Sequence, residues 1–213
     1  NKAFLRFSFT PPDGTGFCAT GPSYDAANSE WFRTAMSGKF FITEPYFAMM
    51  DKKFICLLAV PVFDGEKVIG VLGIDTLAES LSVLVKTTPV GQAGYCSING
   101  RDGTVVADPD EEAVRDQENP ILLAKSNQAF SQIGTFIEQS LNGKQEPSIV
   151  QYKGTDYIIS ASKVPISGWL FTARLPYQEF TAPIMTSLYQ MAYIIIFIFI
   201  IVNIIAIFFA RRI

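Results

Sequence analysis

Residues 55–75 read ICLLAVPVFDGEKVIGVLGID, and their reading decides the fold. Two apolar runs, 55–63 and 67–75, flank Asp64-Gly65-Glu66. A short polar link with a glycine, between two β-rich runs, is the signature of a hairpin. The pattern recurs outward from there. Residues 95–98 and 104–107 flank Asn99-Gly100-Arg101-Asp102-Gly103, and residues 149–152 and 157–164 flank Lys153-Gly154-Thr155-Asp156. Residues 3–9 and 169–174 read as further strands. Strands joined in sequence by hairpins make mainly antiparallel sheets.

Helices punctuate the strands. Thr76-Leu77-Ala78-Glu79 has capping-box spacing and is followed by Leu81, Leu84 and Val85 on one side with Leu77. Asn119-Pro120 reads as a cap and first helical residue. Phe130, Ile133, Phe136, Ile137 and Leu141 then follow at helical spacing, Asn142-Gly143 is a stop, and Gly134 is the candidate break. Val60-Pro61-Val62 is echoed by Val164-Pro165-Ile166, which suggests two copies of a strand–turn–strand–helix unit. The expected fold class is α+β, with a seam near residues 87–94, where Pro89, Gly91 and Gly94 interrupt regular structure.

Residues 191–210, MAYIIIFIFIIVNIIAIFFA, carry no charge. A helix of that length rises about 30 Å, the depth of a bilayer's hydrocarbon core. Arg211 and Arg212 follow at once, whereas Thr186, Ser187 and Gln190 upstream carry no charge. By the positive-inside rule residues 1–190 are expected outside the plasma membrane and the C-terminus in the cytoplasm. Tyr189 and Tyr193 suit the outer interface, and Pro183 suits the first turn of a helix running into the membrane.

The whole-chain numbers narrow the function classes. Apolar residues make up 49% of the 213, with a mean hydropathy of +0.25 concentrated near the C-terminus. A net charge of −3 without basic runs argues against nucleic acid as a partner. There is no His, no Gly-x-Ser-x-Gly elbow, no phosphate-cradling loop and no cluster of metal-ligand type, so no catalytic residue, metal site or cofactor is expected. Cys18, Cys56 and Cys96 read as small apolar strand residues, with one disulfide among them the alternative. Asn1 opens directly on a strand-like run and Ile213 closes just past the apolar segment, so the chain reads as a fragment of a longer protein.

A resemblance sharpens this reading. Tyr24-Asp25, Trp31-Phe32, Thr43-Glu44-Pro45-Tyr46, Val60-Pro61-Val62 and Gly70-Val71-Leu72-Gly73-Ile74-Asp75 resemble the membrane-distal half of a double Cache (dCache) sensor domain. Gly94-Tyr95, Arg101-Asp102-Gly103-Thr104, Asp108-Pro109, Tyr157, Pro165 and Gly168-Trp169 resemble the proximal half. The resemblance implies two PAS-like Cache modules with antiparallel sheets and one transmembrane helix. Residues 1–86 are the distal module without its N-terminal helix, 87–178 the proximal module, 179–190 a juxtamembrane helix, 191–210 the membrane span and 211–213 the start of the cytoplasmic part. It implies a parent of the methyl-accepting chemotaxis receptor, sensor-kinase or cyclic-di-GMP enzyme type, a homodimer, and cytoplasmic signalling partners.

It also implies a ligand pocket in the distal module. In dCache members that bind amino acids, an Arg and aromatics hold the carboxylate, and two Asp and a Tyr hold the ammonium. Tyr24, Trp31, Tyr46 and Asp75 match that pattern, but the Arg position is Ser29 and one Asp position is Ala48. A buried carboxylate without its Arg costs about 2–5 kcal/mol, so an amine or other cation without a carboxylate is the sharper expectation, beside a neutral molecule. The plain alternatives are core aromatics for Trp31 and Tyr46, and for Asp75 a role in loop amides or the next helix's first turn. Glu44 is expected to make a local turn contact. Asp108-Pro109-Asp110-Glu111-Glu112 reads as a solvated turn, with a divalent cation the alternative, and Trp169 as packing in the second core. An anchored binding module without output, and an extracytoplasmic enzyme, are the competing classes.

Overall fold

A computed structural model describes residues 4–18, 22–49 and 51–210. The hairpin is there: β6 (Lys53–Asp64) and β7 (Lys67–Leu77) pair antiparallel from Ile55↔Leu77 to Asp64↔Lys67, and Gly65 turns the chain at φ 61°. Before it come β1 (Phe4–Thr10), β2 (Thr15–Cys18), β3 (Tyr24–Asp25), α1 (Glu30–Met36), β4 (Phe41–Ile42) and β5 (Tyr46–Ala48). The first sheet runs β3-β2-β1-β7-β6-β4, with β5 also on β6. After α2 (Ala78–Lys86) come β8 (Tyr95–Asn99), β9 (Val105–Ala107), α3 (Glu111–Arg115), α4 (Pro120–Leu123), α5 (Ser131–Leu141), β10 (Ser148–Tyr152), β11 (Thr155–Lys163) and β12 (Leu170–Pro176). The second sheet runs β10-β11-β12-β8-β9.

The two sheets share one topology. In each, the first strand pairs with the last, the second lies outside the first, and a hairpin (β6–β7 or β11–β12) leads into a helix, α2 or α6 (Tyr177–Ala210). The sequence echo occupies different places in the two copies. Val60-Pro61-Val62 lies within β6, past the stretch that β4 covers, where a strand tolerates proline. Val164-Pro165-Ile166 lies in the β11–β12 turn, closed by Gly168 N–H to Val164 C=O at 2.8 Å.

Three clusters of buried side chains hold this together. Phe32 and Ala35 of α1 pack on Ala59 and Val71, and α5 packs through Ile133 and Ile137 on Ile159 and Leu170. The third cluster joins the units: Ala78 and Val85 of α2, with Cys56, meet Cys96, Ile98, Val106 and Trp169. Helix α2 therefore belongs to both. The three cysteines are free, with Cys56 and Cys96 buried and Cys18 half-buried, so no disulfide forms.

Some local expectations change. No capping box forms at Thr76, because β7 continues through Thr76, opposite Cys56, and Leu77 becomes the N-cap without a side-chain bond. Asn119 does cap, accepting from the Ile121 and Leu122 amides at 3.0 and 3.1 Å. The break between α4 and α5 falls at a turn capped by Asn127, not at Gly134. Gly134 instead lets α5 approach α4, since a Cβ there would sit 2.4 Å from the Pro120 carbonyl. Asp108 is buried and is no solvated turn residue: it accepts from the Asp110 amide and lies 3.9 Å from Arg174.

Helix α6 runs unbroken from Tyr177, so Pro183 lies inside it and not in its first turn. Its segment Tyr177–Asn203 has a mean hydropathy of 2.2 and is long and apolar enough to cross a membrane. Within the apolar segment Asn203 Nδ2 donates to the Phe199 carbonyl at 2.8 Å, which pairs one of its amide's two donors. Arg211 and Arg212 lie outside the described residues. At its base, Glu179 accepts from the Gln92 and Ala93 amides, which ties α6 to the turn entering β8.

Candidate ligand cavity

Tyr24, Ser29, Trp31, Tyr46 and Asp75 come from four stretches of chain, and all line one cavity of about 350 Å³ against the first sheet. Strands β3, β5 and β7 set Tyr24, Tyr46 and Asp75 there, and the start of α1 sets Ser29 and Trp31. Asp75 projects from β7, two residues before the strand ends. Tyr24, on the short strand β3, lies over Gly16, where a Cβ would collide with its ring, and its hydroxyl meets Thr10 Oγ1 at 3.0 Å. Trp31 sits in the first turn of α1, its ring 6.5 Å from that of Tyr24 and 5.9 Å from Phe32. Ser29 is the N-cap of α1 by backbone geometry, but its hydroxyl makes no capping bond. Tyr46, on β5, forms the half-exposed rim. Ala48 lines the cavity as well, where the amino-acid-binding pattern has an Asp.

The sequence reading missed Arg6. It stands on β1 directly opposite Asp75 in the β1–β7 register, and its Nε lies 3.1 Å from Asp75 Oδ2. Its Nη2 bonds Asp51, at the end of the β5–β6 turn. Among the described residues Asp75 therefore binds neither loop amides nor the helix after it: its partner is the Arg6 guanidinium. No motif marks Arg6. It comes within reach only through a pairing between residues sixty-nine positions apart, which a sequence without its sheet does not display.

The electrostatics follow from burial and these neighbours. Burial pushes the Asp75 carboxyl above the usual carboxylate range, against the pull of Arg6, and Asp51 adds to the rise. Burial works against the Arg6 charge, but Asp75 and Asp51 outweigh it and raise its pKa. The Tyr46 phenol is pushed up to about 12 by burial first and by Asp75 second, so it stays a neutral donor. Asp25 also lines the cavity, and its carboxylate accepts from the Ala27 amide. Among the described residues the charged groups lining the cavity are Arg6, Asp25 and Asp75, and Arg6 also pairs with Asp51, a formal balance of −2 for the four. A cavity of net negative charge with four aromatic rings (Tyr24, Trp31, Tyr46, Phe47) in its wall favours a cation.

The second unit treats the equivalent position differently. Arg174 also stands two residues before the end of its strand, opposite the first strand of its unit at Tyr95. Its guanidinium is 2% exposed and lies between the rings of Tyr95 and Tyr152, at 5.1 and 5.2 Å. It donates to the Tyr95 hydroxyl and to Ser97 Oγ. Where the first unit holds an anion at a cavity, the second holds a cation bound by its own side chains.

Beside the shared core, one polar residue ties the first unit to the second. Arg101, in the β8–β9 turn, donates from Nε to the Ser167 carbonyl at 2.7 Å and from Nη2 to the Ile42 carbonyl at 3.0 Å. It lies 4.7 Å over the Phe41 ring, and its backbone N–H donates to Glu44 at 3.1 Å. Glu44 thus reaches across the units and, among the described residues, makes no local turn contact. It precedes Tyr46 of the cavity by two residues.

Comparison with known proteins agrees with this architecture. The Cache-domain family dCache_1 matches residues 2–184. The methyl-accepting chemotaxis protein PscA of Pseudomonas syringae pv. tomato is 25% identical over 144 residues, covering 65% of this chain and 22% of its own length. McpA of Bacillus subtilis, also a methyl-accepting chemotaxis protein, is 30% identical over 92 residues, or 42% of this chain and 14% of its own. The chain thus spans about a fifth or less of these relatives. The ligand-binding domain of the Pseudomonas aeruginosa amino acid chemoreceptor PctB, solved with L-Gln, superposes with a TM-score of 0.59 at 22% identity, over 90% of this chain and 76% of that one. With a family match across most of its length, two antiparallel sheets of one topology and an apolar C-terminal helix, the chain belongs to the dCache family of Cache sensor domains.

Proposed function

We propose that this chain senses a small organic cation outside the membrane and passes the signal inward through α6. The carrying observation is the cavity itself: aromatic and acidic side chains from separate elements converge on it, and among the described residues Arg6, Asp25, Asp51 and Asp75 give a formal balance of −2. An ammonium between Asp75 and the rings of Trp31 and Tyr46 gains charge-assisted hydrogen bonding and a cation–π contribution of about 0.5–2 kcal/mol. Ser29 offers one neutral hydroxyl in place of an arginine, which disfavours a ligand carboxylate there. Arg6 acts as the resident counter-ion, so an entering cation shares or displaces it at Asp75. That exchange gives the empty and occupied states different contacts, which a signal requires.

The route outward is physical contact. Tyr46 and Glu44 share one strap, Glu44 and Ile42 are held by Arg101, and Arg101 holds the β11–β12 turn. Strand β12 continues directly into α6, whose base is tied by Glu179. Residues 1–86 are the binding module and 87–178 the relay, with residues 1–190 outside and Arg211-Arg212 at the cytoplasmic face by the positive-inside rule. Two copies acting as a dimer hand the signal to cytoplasmic signalling proteins.

Calorimetric titration of the chain in lipid nanodiscs tests this. Small alkylammonium ions should bind at this cavity, and Asp75→Asn should lose at least tenfold in affinity there while keeping its fold. Equal affinity in Asp75→Asn, or binding of carboxylic acids in preference to amines, would sink the reading.

A further inference from the structure

A second cavity, of about 690 Å³, lies between the units. Helix α2 forms one wall, β9 with α3 the opposite one, and Glu44-Pro45 closes an end. Its floor is apolar, made by buried Ala78 and Val106 with half-buried Phe54 and Val114, while Val83 and Leu122 line it but are exposed. Into it faces Ser82, which is 6% exposed and whose hydroxyl has no hydrogen-bond partner among the described residues. A serine in a helix ordinarily returns its hydroxyl to a carbonyl one turn back, as Thr181 and Ser187 do in α6. Ser82 does not.

The charges around the opening are unequally matched. Both lining cations are already paired, Lys86 with Glu111 at 2.5 Å across the opening and Arg115 with Asp116 at 3.0 Å. Glu79, one turn before Ser82 on α2, has no ion pair or hydrogen bond among the described residues. Four lining carboxylates (Glu44, Glu79, Asp102, Glu111) stand against two cations (Lys86, Arg115), a formal balance of −2. An anionic ligand would have to break an existing pair, whereas a cation finds Glu79 waiting.

We infer that the inter-unit cavity is a second ligand site, for an organic cation with an apolar body: the ammonium at Glu79, a hydrogen bond to Ser82, the body on the floor. The site is separate from the distal cavity and does not rest on its occupancy. Its occupant touches α2, which follows the first sheet, and β9 and α3 of the second unit. It would therefore fix the spacing between the units and bias the relay, so that two chemically related cations act at two places on one receptor.

The probe is 2-phenylethylammonium, titrated calorimetrically into the full chain in lipid nanodiscs, with empty nanodiscs subtracted. Asp75→Asn is the background, because it impairs the distal cavity and leaves this one intact. The expected dissociation constant is about 1 mM or tighter, with slowed amide exchange in α2 and α3. Glu79→Gln should weaken binding about tenfold, and Ser82→Phe, which fills the cavity, should abolish it. Glu79 is exposed, so its variant folds and decides the question even where Ser82→Phe does not fold. No binding at about ten times that concentration, or unchanged affinity in Glu79→Gln, overturns the inference.

Discussion

Arg101→Ala tests how the units are joined. The guanidinium makes two hydrogen bonds to carbonyls, Ser167 and Ile42, and stacks on Phe41. A hydrogen bond to a charged group contributes about 1.5–3 kcal/mol, and the cation–π contact about 0.5–1. The side chain is 36% exposed, so water weakens these terms and the lower ends apply. The ion pair to Glu44 at 3.8 Å, equally exposed, adds under about 1 kcal/mol. Truncation also leaves the carbonyl of Ser167, a residue 5% exposed, without its donor. The sum is about 3 kcal/mol, equivalent to about a hundredfold in a local opening equilibrium. Hydrogen exchange reads this directly at the Gly168 and Val164 amides, which close the β11–β12 turn. Their exchange should accelerate about a hundredfold in Arg101→Ala and less in Arg101→Lys, which keeps the charge but loses the planar fork. Glu44→Gln should change it severalfold at most, since a Gln oxygen still accepts the Arg101 amide. Acceleration under threefold in Arg101→Ala would refute the reasoning.

Three further outcomes are expected. Burial raises the carboxyl pKa of both Asp75 and Asp108 above the usual value of 3.8, so each contributes stability that is full below that value and is lost as pH rises through the raised one. Denaturant unfolding should therefore show a fall in stability across that window, smaller in Asp75→Asn than in the parent. Gly134→Ala should destabilise by about 1–3 kcal/mol in the same assay, because its methyl group would meet the Pro120 carbonyl and Ala124 Cβ at 2.4 and 2.7 Å. An aromatic disulfide reagent should titrate one thiol rapidly, Cys18, and reach Cys56 and Cys96 only on unfolding. Burial raises both of those thiols, Cys56 to about 12.

The parts legible in the sequence are those written locally. Asp64-Gly65-Glu66 between two apolar runs specifies β6–β7 because a tight turn demands a glycine near its tip, and Asn119-Pro120 specifies a helix start because cap and proline act within three residues. The apolar segment after Gln190 needs only length and composition to be read. The family pattern named five residues that line one cavity, yet it could not name Arg6, whose place beside Asp75 exists only through the register of β1 on β7. Glu44 misled for the same reason: its partner Arg101 is fifty-seven positions away, so a reading of nearest neighbours made it local. Thr76 misled differently. Its capping spacing was real, but pairing with Cys56 kept the strand extended through it, and tertiary structure overrode a local preference. Helix α1, seven residues without a side-chain cap, left no periodicity long enough to detect.

Thermal unfolding against a panel of small amines, amino acids and organic acids tests the central claim most directly, with the parent chain and Asp75→Asn run in parallel in nanodiscs. A ligand at 100 times its dissociation constant stabilises by about 2.7 kcal/mol, a shift of roughly 5–10 °C for a domain of this size. The account predicts that amines without a carboxylate shift the parent chain by that amount and shift Asp75→Asn little. A shift from organic acids alone, or one of equal size in both chains, would contradict it.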